Sequence, residues 1–181
     1  MIPASDESAF VDMLNEHRGA IQRIARLYAD RAEDRADLVQ EIVYQLWRAY
    51  PSFRRESSAL TWLYRVALNT AITTVRRRAR HPEHTALEAD REGAALPAAE
   101  APPPSEIELL YAAIARLTDV ERALIMCYLD DLSYKRIGEV LGLSETAVGA
   151  RLTRTKARLQ RIVRELEPGT GAAANGRERR P

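Results

Sequence analysis

The chain has 181 residues, 46% of them hydrophobic and 29% charged, a balance that excludes a collagen, a disulfide scaffold and a disordered polymer and predicts one medium domain or two small ones. No apolar run approaches the roughly 20 residues of a membrane span, and the start MIPASDESAF has neither a basic nor an apolar leader region, so no signal peptide and a cytoplasmic location are expected. Cys127 is the single cysteine, which rules out an internal disulfide and a Cys-rich zinc site. A net charge of +1 hides a strong partition along the chain. Residues 51–81 carry seven basic groups against one acidic, residues 82–108 one against seven, and residues 133–166 eight against three. Charge acts locally, within a Debye length of about 8–10 Å, so two basic blocks around an acidic spacer suggest two modules that each touch a polyanion.

Apolar spacing is helical wherever it is regular, and no alternating run bounded by turn residues is present, so the expected class is all-α. A first helix is predicted from about Glu7 to Asp30, with Phe10, Leu14, His17, Ile21, Ile24 and Tyr28 on one stripe. A second, from about Asp34 to Tyr50, carries Leu38, Val39, Ile42, Val43, Leu46 and Trp47, with acids in its first turn, and stops at Pro51. Its opposite face is Asp37, Gln40, Glu41 and Gln45. Ser58 is the predicted N-cap of a long helix from Ala59 to about Arg80, whose apolar stripe is Leu60, Leu63, Ala67, Ala71 and Val75. Trp62 and Leu63 cannot both face one narrow core, and Asn69 interrupts a packing surface, so something beyond packing is expected there.

From 82 to 105 the chain is rich in Pro, Ala and Glu, which predicts an extended linker. Helicity resumes at Ser105–Glu106, breaks at Thr118–Asp119 and continues through Leu124, Ile125 and Tyr128, after which two short helices follow. Residues 168–181 are Gly/Ala/Arg-rich and read as a disordered tail. The short pair is the sharpest signal: Ser133 to Leu141, the turn Gly142-Leu143-Ser144, then Glu145 onward. Gly138 suits a close helix crossing, Gly142 a positive φ and Ser144 a cap, while Ile137, Leu141, Leu143 and Val148 form a small core. An ordinary helical hairpin can imitate this spacing, but the exposed set Glu145, Thr146, Arg151, Thr153, Arg154 and Lys156 suits a major groove and its phosphates. In the first basic block, Phe53, Trp62 and Tyr64 lie near Arg54, Arg55, Arg65 and Arg76–Arg78, the mix of rings and cations used on single strands.

Two stretches resemble the extracytoplasmic-function group of bacterial sigma factors. The first runs Asp37-Leu38-Val39-Gln40-Glu41, then Phe53-Arg54, then Thr61-Trp62-Leu63-Tyr64-Arg65-Val66-Ala67-Leu68-Asn69-Thr70-Ala71, and is similar to region two of that family. The second, Leu129-Asp130-Asp131-Leu132-Ser133-Tyr134 into Ile137, Gly138, Leu141-Gly142 and Val148, is similar to region four. The resemblance implies a region-two-like domain over 1–81, a linker over 82–105, a region-four-like helix-turn-helix domain over 106–167 and a tail over 168–181. It implies docking of Asp37, Gln40, Glu41, Trp47 and Arg48 on the clamp helices of core RNA polymerase. Phe53, Arg54, Arg55, Ser58, Trp62, Arg65 and Asn69 would hold the melted minus-ten strand, with a flipped base near Asn69, and Arg76, Arg77 and Arg78 would follow the adjoining duplex phosphates. The second domain would sit on the polymerase flap and read the minus-thirty-five element through Ser144, Glu145, Thr146, Arg151, Thr153, Arg154 and Lys156. Gly149 and Ala150 depart from the family pattern where base readout is usually densest, which leaves Thr153 as the main groove-facing side chain. An anti-sigma protein is the further partner the resemblance implies.

The competing reading is a helix-turn-helix repressor or activator that binds duplex DNA alone, with the first domain for dimerisation or an effector. An enzyme finds no constellation: His81 and His84 sit in the Pro-rich stretch, no phosphate loop or nucleophile motif accompanies them, and no cofactor is expected. Asp130-Asp131 reads as a capping pair rather than a metal site, and Cys127 as a small buried hydrophobe.

Overall fold

The computed structural model describes residues 4–53, 58–80 and 105–167, and among them the chain forms eight α-helices and no strand. They are α1 (Ala4–Glu16), α2 (Arg18–Tyr28), α3 (Ala32–Ala49), α4 (Ala59–Arg80), α5 (Glu106–Ala115), α6 (Asp119–Leu129), α7 (Tyr134–Leu141) and α8 (Glu145–Leu166), with a 3-10 turn at Tyr50–Ser52. The expected linker, tail, Arg54, Arg55, His81 and His84 lie outside the described residues.

The first helix expected from the sequence is in fact two. Between them His17 leaves helical geometry at φ −107° and ψ 13°, just before Arg18-Gly19, where glycine favours a break. The bend lets α1 lay Phe10 edge-on against Trp47 and Tyr50, both at 5.0 Å between ring centres, while α2 buries Ile21, Ile24 and Ala25. Helix α3 follows its predicted bounds closely, and the Ser58 Oγ caps α4 by accepting from the Thr61 N–H at 3.2 Å.

Helix α4 is more enclosed than a single apolar stripe allows. Thr61, Trp62, Leu63 and Tyr64, four consecutive residues, are all buried; Trp62 and Leu63 do not share one narrow core, as expected, but packing accounts for both, so nothing beyond packing is needed at Trp62. The physical reason is that α4 has partners on several sides: α2 and α3 of its own bundle, and α6 and α7 of the second. Leu63 faces the bundle with no exposure, Trp62 is roofed by Phe53 at 4.9 Å and Tyr50 at 6.2 Å, and Tyr64 reaches the second domain. Each such side chain contributes about 1.5–3 kcal/mol by leaving water.

In the second domain both α5 and α6 begin with a reciprocal capping box, Ser105 with Glu108 and Thr118 with Glu121. The Ser105 N–H and hydroxyl hold the Glu108 carboxyl below its ordinary value. Burial opposes the Glu121 charge, but donors from Thr118 and from Arg158 outweigh it and lower that carboxyl too. The helix-turn-helix follows its predicted geometry. Ser133 and Ser144 cap α7 and α8, Gly142 sits at φ +68°, and a Cβ on Gly138 would lie 2.5 Å from the Leu143 carbonyl oxygen, too close for any other residue. Ile137 and Val148 are fully buried and Leu141 and Leu143 half-buried as expected, with Val140 a further core residue. The second helix of the pair is not short: α8 runs 22 residues and carries Leu152, Thr155 and Ile162 into the core behind the turn.

Candidate nucleic-acid interface

Three surfaces take shape, one on each of the helices α3, α4 and α8. On α3, Asp37 and Gln40 are exposed, Glu41 and Trp47 half-buried and Arg48 exposed, at helical spacing along one face. The Glu41 carboxylate accepts from the Gln45 amide at 2.8 Å. Tyr44 belongs to the same face, 54% exposed, with the Arg48 guanidinium 5.7 Å from its ring centre. Sequence reading missed Tyr44, although its place three and four residues from Gln40, Glu41, Trp47 and Arg48 was the available signal. Beside it Val11, Val43 and Tyr44 line an apolar groove of about 590 Å³ between α1 and α3.

On α4 the exposed residues Arg65, Asn69, Thr73, Arg76 and Arg80 recur every three or four positions, so one polar, basic stripe runs the length of the helix. Asn69, mid-helix, faces outward on it. Trp62 extends the stripe at its N-terminal end, but with 9% exposure beneath Phe53 it is a packing residue, and Phe53 is the ring left half-buried at the surface. Tyr64 is no stacking face either: it is 1% exposed and its hydroxyl donates to Asp130. Arg78 is separated from Arg76 and Arg77. It points to the other side of α4 and pairs with Asp34 of α3 at 2.7 Å, so the three arginines do not form one cluster.

On α8 the residues opposite the buried Val148, Leu152 and Thr155 are Thr146, Ala150, Thr153 and Arg154, all exposed. Arg151 and Glu145 flank them. Lys156 is half-buried, its ammonium 3.5 Å from the centre of the Tyr128 ring, which turns it toward α6 and away from the exposed face where sequence reading put it. The Thr153 hydroxyl donates to the Gly149 carbonyl at 3.1 Å, which leaves its lone pairs outward as acceptors. Gly149 itself is half-buried beneath the Tyr134 ring.

Asp130 and Asp131 are not the N-terminal caps the sequence suggested, because Ser133 caps α7. Asp131 sits at φ +57° in the turn after α6. Asp130 closes α6, and its carboxylate takes the Tyr64 hydroxyl and the Arg23 Nε, the latter at 2.9 Å. Burial, with the Asp130 hydrogen bond, pushes the Tyr64 phenol well above its ordinary range. Burial works against the Arg23 charge, yet Asp130 more than offsets it. Cys127 is fully buried among apolar groups, and burial pushes its thiol up to about 12. No group of metal-ligating side chains occurs among the described residues, and no helix there is long and apolar enough to cross a membrane.

Residues 13–81 match the family profile for sigma-70 region 2, and residues 107–159 that for sigma-70 region 4. The chain is 29% identical over 174 residues to the ECF RNA polymerase sigma factor SigM of Mycobacterium tuberculosis, an alignment covering 92% of this chain and 83% of the relative. Against the ECF RNA polymerase sigma-E factor of Escherichia coli it is 27% identical over 176 residues, covering 91% and 92%. In fold it is similar to the sigma factor RpoE crystallised with the anti-sigma factor NepR from Bartonella quintana, with a TM-score of 0.66 at 20% identity over 86% of this chain and 97% of that one. It is also similar to CnrH in complex with the cytosolic domain of CnrY, with a TM-score of 0.62 at 24% identity over 88% and 90%.

The chain therefore belongs to the extracytoplasmic-function group of sigma-70 factors, with its region 2 and region 4 both present. As such it is a transcription regulator that directs RNA polymerase to particular promoters.

Proposed function

We propose that the three surfaces divide the work of promoter recognition between two domains, residues 1–81 and 106–167, joined by 82–105 and followed by a tail over 168–181. The α3 face, Asp37, Gln40, Glu41, Tyr44, Trp47 and Arg48, docks on the clamp helices of core polymerase. The α4 stripe takes the minus-ten element. Phe53 stacks an unpaired base, Asn69 hydrogen-bonds a flipped one, and Arg65 and Arg76 hold phosphates, with Arg54 and Arg55, earlier in the sequence, adding charge. Unstacking one base costs a few kcal/mol, which stacking and hydrogen bonds return at about 1–3 kcal/mol per base.

The exposed face of α8, capped by Ser144, enters the major groove at the minus-thirty-five element while the second domain rests on the flap. With Gly149 and Ala150 offering no donor, Thr153 presents acceptors to the exocyclic amine of adenine or cytosine, and Arg151 and Arg154 take phosphates. The chain has no catalytic role of its own, works in the cytoplasm, and is a target for an anti-sigma protein, the kind of partner with which RpoE of Bartonella quintana was crystallised.

The observation that carries this reading is the unbroken polar stripe on α4 with Asn69 facing outward at its middle. Run-off transcription from a promoter panel, with core polymerase alone and with the protein, tests it. Initiation that depends on the protein and falls at least tenfold in Asn69→Ala supports it, on the scale of one lost base contact. Binding of duplex DNA without polymerase, and no stimulated initiation, would favour a free-standing helix-turn-helix regulator.

A further inference from the structure

Between α2, α3 and α5 lies an open cleft of about 610 Å³, within the roughly 300–1,000 Å³ of small-molecule sites. Helix α2 lines it with Gln22, Arg23 and Arg26, α3 with Arg35 and Gln40, and α5 with Tyr111. Ala32 and Ala36, one turn apart on α3, also line it, and their short side chains leave the room. Charge sets this cleft apart from its surroundings. Residues 1–50 carry six basic groups and nine acidic ones, yet three of the six basic groups line the cleft and none of the nine acids does.

The three guanidinium groups are unequally committed. The Arg23 Nε pairs with the Asp130 carboxylate at 2.9 Å, which matches its charge. The Arg35 Nη1 donates to the Asp30 carbonyl at 3.0 Å, and the Arg26 guanidinium lies over the Tyr111 ring, 4.2 Å from its centre. Both of those partners are uncharged, so Arg26 and Arg35 bring two positive charges to one space with no carboxylate lining it. The Glu108 carboxylate feels Arg26, but it is held by the Ser105 N–H and hydroxyl and does not line the cleft. Paired guanidinium forks suit the oxygens of a phosphate, which they hold bidentately. A guanidinium or tyrosine plane is a face on which a base stacks, and the Gln22 and Gln40 amides offer both donors and acceptors. We propose that the cleft binds a nucleoside diphosphate or triphosphate, with the phosphates on Arg26 and Arg35 and the base against the layer formed with Tyr111. The occupant would touch α2 and α3 of the first domain and α5 of the second, so its binding stabilises the folded chain by mass action.

The test uses the full chain without polymerase and a fluorescent probe, N-methylanthraniloyl ADP. Saturable binding is expected, with the probe displaced by unlabelled ADP, about tenfold less well by pyrophosphate, and not by adenosine. ADP at about a hundred times its dissociation constant should raise the unfolding temperature by several degrees. Arg26→Gln with Arg35→Gln should weaken the probe about tenfold or more. Arg26→Lys with Arg35→Lys keeps the charge but loses the planar forks, and should weaken it about threefold. Arg77→Ala with Arg80→Ala removes the same charge from α4, where both side chains are exposed, and should leave affinity within about twofold. Tyr111→Ala should bring ADP down to the affinity of pyrophosphate while leaving pyrophosphate within about twofold.

A probe that does not saturate, or ADP that leaves the unfolding temperature where it was, would overturn the site. Equal losses in the glutamine pair and the α4 pair would reduce it to a general attraction between phosphates and basic groups. Pyrophosphate binding as tightly as ADP would overturn the nucleotide assignment, as would ADP binding that survives Tyr111→Ala. Arg26 is exposed and Arg35 half-buried, so the glutamine pair should unfold close to the parent. The lysine pair, which keeps the charges and the long stems, tests the same contacts if the glutamine pair disturbs the fold.

Discussion

The two basic surfaces of this sigma factor, α4 in the first domain and α8 in the second, are built from the same residue types but kept in opposite states. The exposed face of α8 is turned away from the rest of the molecule, and the hydrogen bonds of Thr153 and Arg154 go only to their own helix. Along α4, by contrast, Arg65 and Arg76 reach across to the second domain and Arg78 is taken by α3. The proposed duplex-binding face on α8 thus stands open. The proposed minus-ten face on α4 is instead partly engaged within the molecule.

The largest effect that would break the comparison is expected from Gly138→Val. The added side chain meets the Leu143 carbonyl, a backbone atom that cannot yield, so a cost near the top of the 1–3 kcal/mol range for overpacking is expected. Thermal unfolding should fall by about 6–10 °C, with duplex binding by α8 lost. Asp130→Ala should come next, at about 1–3 kcal/mol in urea unfolding, because it leaves the Tyr64 hydroxyl and Arg23 without their acceptor; Asp131→Ala, at an exposed turn, should cost less.

The third effect is alkaline. Burial and Asp130 raise the Tyr64 phenol, and burial raises that of Tyr28, so the folded chain holds both protons more tightly than the unfolded one. Their stabilisation is complete below the ordinary tyrosine value of about 10 and is lost as pH climbs beyond it. Urea midpoints measured between neutral and strongly alkaline pH should fall above about 10, less steeply in Tyr64→Phe. The smallest effect is a gain. A Cβ on Gly149 would meet the Tyr134 ring at 3.5 Å, an ordinary contact, so Gly149→Ala should stabilise α8 by up to about 1 kcal/mol. If it also left promoter choice unchanged, position 149 would be shown to carry no base readout.

The same contrast explains what could be read from the sequence. The second domain announces itself locally: Gly138, Gly142, Ser144 and the spacing of Ile137 and Val148 are short-range requirements of one turn, and each recurs in the fold. The outward position of Asn69 was likewise legible as a break in an apolar pattern. What the pattern could not supply was the environment of α4. Trp62, Leu63 and Tyr64 are buried together only because a loop, a bundle and a second domain approach from three sides, and periodicity describes one side. Asp130 looked like a cap for the same reason, its partners Arg23 and Tyr64 lying far away in the chain. The break at His17 was hidden by an apolar spacing that continues across it.

The measurement that bears most directly on the account is permanganate reactivity of thymines in the minus-ten region of a promoter this protein serves, with core polymerase present. The account predicts thymines that become reactive only when the protein is added, with reactivity falling sharply in Asn69→Ala while duplex protection at minus thirty-five persists. Unchanged melting in Asn69→Ala, or opening that does not need the protein, would contradict it.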